Sequence, residues 1–411
     1  MTWAASIRER IRGGQLLPRE VYVLGLIAFC VAVGFGVLVP VLPVFARAFG
    51  VGNFEVGAVI SAFALMRLAS SPFCGRMINA VGERIVLAVG IFIVAISSGL
   101  AGIAHSYLQL LVLRGVGGIG SAMFTVSAFT LLLTCVEPGM RGRASGFFQT
   151  GFLVGGMAGP AVGGVLSRIS LTAPFFFYAA TLAVAGTVGL LMLRTSGEKP
   201  AARESEVVPF RVVLRDARYQ AACFANFSQG WNSFGVRSSL VPVLIVEVLR
   251  RPPSWTGTAF FFAAVVQAIA VVPAGRFVDS VGRRPAMIIG SVLAAVSIAA
   301  VPLVGNIWLL VVALSVWGVS AAFLGTAPAA AVGDAAGGRG GTAVALFSMC
   351  SDIGAIIGPL VAGFLADHLS YPVAFGVGAL LMMAGAGLSW RMPPESDPRA
   401  TTQGHDPSAV D

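Results

Sequence analysis

A chain of 411 residues that is 57% hydrophobic and 11% charged stands far from a soluble domain, in which about 25% of residues are charged. That balance excludes a water-soluble fold. The net charge of +9 is scattered over short connectors instead of being gathered on one water-facing surface, which excludes a nucleic-acid footprint.

The apolar residues fall in long runs without charge, among them 21–46, 85–104, 144–167, 169–193 and 369–390, with 285–333 long enough for two. A helix needs roughly 20 apolar residues to cross the hydrocarbon core, and in lipid every backbone polar group must be paired within its own segment, so these runs are helices. The expected fold is an all-α polytopic membrane protein with twelve spans, at 21–46, 55–74, 85–104, 107–133, 145–167, 172–193, 219–246, 254–274, 285–304, 307–332, 342–366 and 371–390. The first run has no small-residue cleavage site after a short apolar core, so it reads as a span and not as a removed signal peptide.

With the N-terminus inside, 20 of the 27 basic residues lie in cytoplasmic segments, and four (Arg47, Arg168, Arg250, Arg251) lie outside. The positive-inside rule then places both termini in the cytoplasm. Arginine in place of lysine, with abundant Ala and Gly, points to a bacterial chain and hence to a bacterial inner membrane.

The chain repeats itself with a period near 200. LVPVL recurs at 38–42 and 240–244, GRMINAVGER at 75–84 matches GRFVDSVGRR at 275–284, and Gly159–Pro160 matches Gly358–Pro359. Two pseudo-symmetric six-helix bundles are expected, at 1–193 and 219–391, with a polar cytoplasmic linker at 194–218 and a cytoplasmic tail at 392–411. Transporters are commonly built from such repeats, with the substrate site at mid-membrane between them.

These features resemble the major facilitator superfamily over nearly the whole chain. Gly275, Asp279, Gly282, Arg283 and Arg284 fit its G-x-x-x-D-x-x-G-R-[RK] signature. The first copy keeps Gly75, Gly82 and Arg84 but carries Asn79 and Glu83 where Asp and Arg are expected. Within that family, Gly34-x5-Pro40-Val41-Leu42-Pro43, Arg114-x3-Gly118, and Gly146-x8-Gly155-x3-Gly159-Pro160-x2-Gly163-Gly164 are similar to patterns of the twelve-span drug:proton antiporters. The resemblance implies a cytoplasmic gate at Asn79, Arg84, Asp279, Arg283 and Arg284, with the acid facing the N-terminus of a neighbouring helix, whose dipole favours negative charge. Asn79 is able to cap such a terminus but brings no charge.

Gly155, Gly159 and Gly163, four residues apart, lie on one face of span 5 and let a partner backbone come close. With Pro160, which removes one helical donor, and Gly164, they form a hinge and seam or, alternatively, a static packing contact.

Away from the span ends, four ionisable residues fall within spans: Arg67, Arg114, Arg237 and Asp352. Such charges are costly in the bilayer and are functional candidates by default, although structural ion pairs and snorkelling compete as explanations. Asp352 is the carboxylate near the middle of a span, about 15 Å in by helical rise, and is the candidate for proton coupling. The acid that many antiporter relatives keep in span 1 is absent. Asn226, Gln229, Trp231 and Asn232 in span 7, with Gln149 and Gln267, are expected to line the substrate cavity or to hydrogen-bond between helices. Three arginines against one aspartate favour a neutral, zwitterionic or anionic substrate.

The five cysteines form no CxxC pair and the three histidines lie far apart, so no disulfide framework, metal site or cofactor is expected. No nucleophile–base set supports an enzyme, and no phosphate-binding loop supports ATP-driven pumping. The expected function is proton-coupled efflux of small organic or drug-like compounds by a monomer. The alternative is uptake or facilitated movement of one metabolite, such as a sugar or organic acid.

Overall fold

The computed structural model describes residues 17–136, 140–193, 210–335 and 341–393. Most of the expected linker and tail therefore lies outside the described residues.

All regular structure among these residues is helical. In the first half the helices are α1 (Arg19–Leu38), the short α2 (Leu42–Arg47), α3 (Asn53–Val81), α4 (Glu83–Ala101), α5 (Tyr107–Thr134), α6 (Arg141–Leu166) and α7 (Ala173–Met192). The second half begins with a short α8 (Phe210–Arg215). A run follows that passes from α9 (Ala217–Gly230) through a π-helical segment (Trp231–Leu240) into α10 (Val241–Glu247). It continues with α11 (Ser254–Ser280), α12 (Arg283–Ala300), α13 (Ile307–Ala335), α14 (Gly341–His368) and α15 (Tyr371–Trp390). Ten helices among the described residues are long and apolar enough to cross a membrane. The 26-residue α6 and the run from α9 to α10 complete the twelve.

Two boundaries differ from expectation. Span 1 does not run unbroken over 21–46: α1 stops at Leu38, a turn occupies 39–41, and α2 resumes with Pro43 in its first turn. Pro40 lacks the N–H that a continuing helix needs, so the ladder of α1 ends there, and Pro43 sits in the first turn of α2, where no such donor is required. The signature segments, expected as loops, are helical almost to their ends. α3 continues to Val81 and α11 to Ser280, and only Gly82 (φ 85°) and Gly282 (φ 119°) turn the chain. Both hold a left-handed conformation that glycine adopts without strain. Asn79 and Asp279 therefore sit exposed in the last turn of a helix. Neither caps the next helix, because that position belongs to Gly82 and Gly282, which have no side-chain cap.

The chain forms two compact units: Met1–Val39 with Met66–Arg203, and Pro40–Leu65 with Glu204–Asp411. In the first, α1 packs along α6, and α4 lies between α5 and α7. Gly90 of α4 and Gly120 of α5 meet so closely that a Cβ on either would come within 3.0 Å of the other's carbonyl oxygen. In the second unit, Ser320 of α13 donates to the carbonyl of Gly290 on α12 at 2.8 Å. These are the same positions shifted by 200. Large apolar side chains such as Leu191 (78% exposed) and Ile269 (71%) point outward, as a surface solvated by lipid allows.

Residues 40–65 precede the midpoint of the repeat yet pack with the second unit. Gly57 lies against the carbonyl of Pro359, Gly363 against that of Asn53, and Ser61 Oγ donates to Ile356 O at 2.6 Å. The Asp367 carboxylate, at the end of α14, accepts from Asn53 N (2.9 Å), Asn53 Nδ2 (2.8 Å) and Phe54 N (2.8 Å). It thereby satisfies donors that the start of α3 leaves open. Asp367→Ala is expected to lower stability by about 1 kcal/mol, the ordinary worth of an N-terminal cap. A thermal-unfolding midpoint equal to wild type would show that the cap contributes nothing.

Candidate functional site: the π-helical segment of span 7

Ten consecutive residues, Trp231–Leu240, wind as a π-helix in the middle of a transmembrane run. The π form is rare and, where it occurs, is often found at functional sites. The segment packs tightly against α14. Gly230 lies against the carbonyl of Ser351 and Gly235 against the backbone of Gly358, while Gly354 and Gly358 press onto Phe227 and Trp231. Glycines on both partners let α14 approach the backbone of this run along several turns.

The last turn of α9 and the π-helical segment carry polar groups that the fold leaves unsatisfied. Gln229 Oε1, Trp231 Nε1, Asn232 Oδ1, Arg237 Nε and Ser239 Oγ are buried with no hydrogen-bond partner. A buried polar atom without a partner costs about 1–3 kcal/mol, so five on adjacent turns of one span call for a ligand or water. Arg237 lies over the Phe260 ring, 4.5 Å from its centroid, which offsets part of the cost of placing a guanidinium there.

Not every polar residue of this span is open in the same way. Asn226 Nδ2 donates to Phe347 O at 2.7 Å. Asn232 Nδ2 donates to Ser228 O (3.0 Å) and Gly378 O (3.1 Å). These amide groups tie α9 and the π-helical segment to α14 and α15. Asp352 is half-buried in the middle of α14, one residue beyond the Ser351 carbonyl that touches Gly230. The other acidic residues of the described spans lie in first or last turns: Glu20, Glu55, Glu83, Glu247, Asp279, Asp334 and Asp367. Gln267 is part-buried on α11.

Three candidates belong to the first unit. Arg114 is 4% exposed within α5, Arg67 is half-buried on α3, and Gln149 is exposed on α6. The glycine seam of that unit has α1 as its partner. A Cβ at Gly151, Gly155, Gly159 or Gly163 would come within 3.0 Å of a backbone atom of Gly25, Phe29, Val33, Gly36 or Val37. Pro160 packs at Gly36 beside them, and Gly164 is buried. Each side of the seam advances by about four residues, so the two backbones run in contact for several turns.

Near the signature turns, Arg84 donates to the carbonyl of Leu190. Arg283 pairs with Asp334 at 2.9 Å, and Arg284 lies over the Trp390 ring at 5.5 Å. The exposed Arg47–Glu247 pair, at 2.7 Å, ties α2 to the end of α10. Sequence reasoning missed Asp334, Asp367 and Glu247 as partners, since each looks like an ordinary helix-end acid. The only hint was that 47 and 247 stand one repeat apart.

The chain matches the profile of the Major Facilitator Superfamily over residues 24–252 and again over 222–409. It belongs to the Major Facilitator Superfamily. As a superfamily member it is a multi-pass membrane transporter and not an enzyme. It is 26% identical to multidrug resistance protein 1 of Bacillus subtilis (strain 168) over 374 residues, covering 89% of this chain and 94% of that one. It is also 26% identical to the synaptic vesicular amine transporter of Rattus norvegicus over 357 residues, covering 84% of this chain and 68% of that one. The crystal structure of the nucleoside transporter NupG superposes with a TM-score of 0.75 at 14% identity, covering 92% of this chain and 100% of that one. At that identity the superposition speaks for the fold alone.

Proposed function

We propose that this superfamily member exports small organic or drug-like compounds in exchange for protons, by alternating access, in a bacterial inner membrane with both termini cytoplasmic. The observation that carries the reading is the set of unsatisfied polar groups on the π-helical segment, a surface that a small molecule with a few hydrogen-bonding groups completes. The similarity to a multidrug resistance protein along nearly the full length of both chains supports drug-like compounds as the substrate class.

In this reading Gln229, Trp231 and Arg237 contact the compound, and Arg67, Arg114 and Gln149 are the polar candidates within the first unit. Asp352 takes up and releases the coupling proton. The seam between α1 and α6 is the hinge. Asp279, Arg283, Arg284, Arg84 and Asn79 regulate the cytoplasmic mouth. The excess of arginine favours neutral, zwitterionic or anionic compounds, whereas the rat relative is a transporter of amines by name.

The test is transport into inverted vesicles of a panel spanning all charge types, with and without a pH gradient. Accumulation of neutral or anionic compounds that collapses when the gradient is dissipated is expected. Gradient-independent movement of a single metabolite would instead establish the uptake reading.

A further inference from the structure

Two cysteines that lie 127 positions apart in the chain meet inside the second unit. Cys223 on α9 and Cys350 on α14 face the same cavity, beside the contact that Asn226 Nδ2 of α9 makes with Phe347 O of α14 at 2.7 Å. Both thiols are free and only part-buried. They line one cavity of about 370 Å³ with Tyr219, Phe224, Phe227 and Ile353. That volume is within the range of small-molecule pockets.

We propose that Cys223 and Cys350 form a dithiol site for a thiophilic compound with an aromatic body, a trivalent arylarsenical being the chemical class that fits. Sulfur ligands select soft centres, and two thiols lining one cavity present two sulfurs to a single arsenic atom. The aryl ring then occupies the apolar cavity between Phe224, Phe227 and Ile353. The chemistry is a condensation: an arsenic oxide R–As=O and two thiols give R–As(S)2 and one water. Two As–S bonds form, both S–H bonds and the As=O bond break, and the oxygen leaves with the two protons. No oxidant is needed. The product staples α9 to α14 beside the π-helical segment, so any movement between these helices during transport is blocked. The binding step itself does not depend on the transport reading.

The test uses the full-length protein, purified under a phosphine reductant that is then removed. Phenylarsine oxide is added, followed by a maleimide, and each cysteine is scored by peptide mass spectrometry. Protection of both Cys223 and Cys350, with the part-buried Cys30 and Cys135 still alkylated as in the untreated sample, is expected. Reversal should require a dithiol and not a monothiol. On an immobilised phenylarsine oxide resin, Cys223→Ser and Cys350→Ser should each lower retention by roughly 100-fold, the usual advantage of two linked attachments over one. Equal protection of all four part-buried cysteines, no protection of this pair, or single variants that bind like wild type would overturn the proposal. The protection map needs no variant, so it decides the matter even if a serine variant fails to fold.

Discussion

Gly163→Val is expected to abolish transport and to lower the thermal midpoint of the purified protein by about 5 °C. A Cβ at position 163 would come within 3.0 Å of the Val37 carbonyl group, which is helix backbone and has no flexible end to move away. Overpacking of this kind costs about 1–3 kcal/mol where side chains are able to adjust, and backbone against backbone belongs at the upper limit. For a large domain each kcal/mol shifts the midpoint by about 2 °C or slightly more. The internal control is Gly156→Ala, in the same helix, where nothing lies within 4 Å of the added methyl group. It should transport and unfold as wild type does. If Gly163→Val transports normally, α1 and α6 do not need their close approach, and the hinge assigned to this seam is wrong.

The second large effect is at Asp352. Asp352→Asn keeps the size and most of the hydrogen-bonding capacity of the side chain but removes its ability to exchange a proton. Transport driven by a pH gradient should fall at least about tenfold, the equivalent of 1.4 kcal/mol, while exchange of substrate at equal concentration and equal pH persists. That split distinguishes loss of coupling from loss of folding or of binding. Gradient-driven transport at wild-type rate in the variant would remove Asp352 from the mechanism. With the other described acids confined to helix ends, it would also leave proton coupling without a mid-span carboxylate.

Much of the fold was legible because the bilayer leaves few choices. Runs of apolar residues had to be helices. The spacing of Gly155, Gly159 and Gly163 pointed to a seam before its partner was known. What failed were local endings. Pro40 and Pro43 were read as part of a family pattern, although their chemistry breaks a helix. Asn79 and Asp279 were read as loop residues, although only the glycines at 82 and 282 need a turn. The polar stretch of span 7 was visible as composition, but its close packing involves glycines of α14 that are more than a hundred residues away. The same is true of the cavity shared by Cys223 and Cys350, which no short-spacing rule for cysteines detects, and of the Asp367 cap on Asn53 and Phe54. These are tertiary facts, and a single helix pattern does not encode them.

The measurement that bears most directly on the substrate site is the water accessibility of the polar stretch that runs from the last turn of α9 into the π-helical segment. In a background lacking the native cysteines, Gln229→Cys should react with a membrane-impermeant thiol reagent, and a transported compound should slow the reaction. Ile269→Cys, on the outward apolar face of α11, should stay unreactive under the same conditions. A residue 229 that never reacts, or that reacts at one rate with and without substrate while position 269 labels freely, would mean that these polar groups do not face the transport pathway.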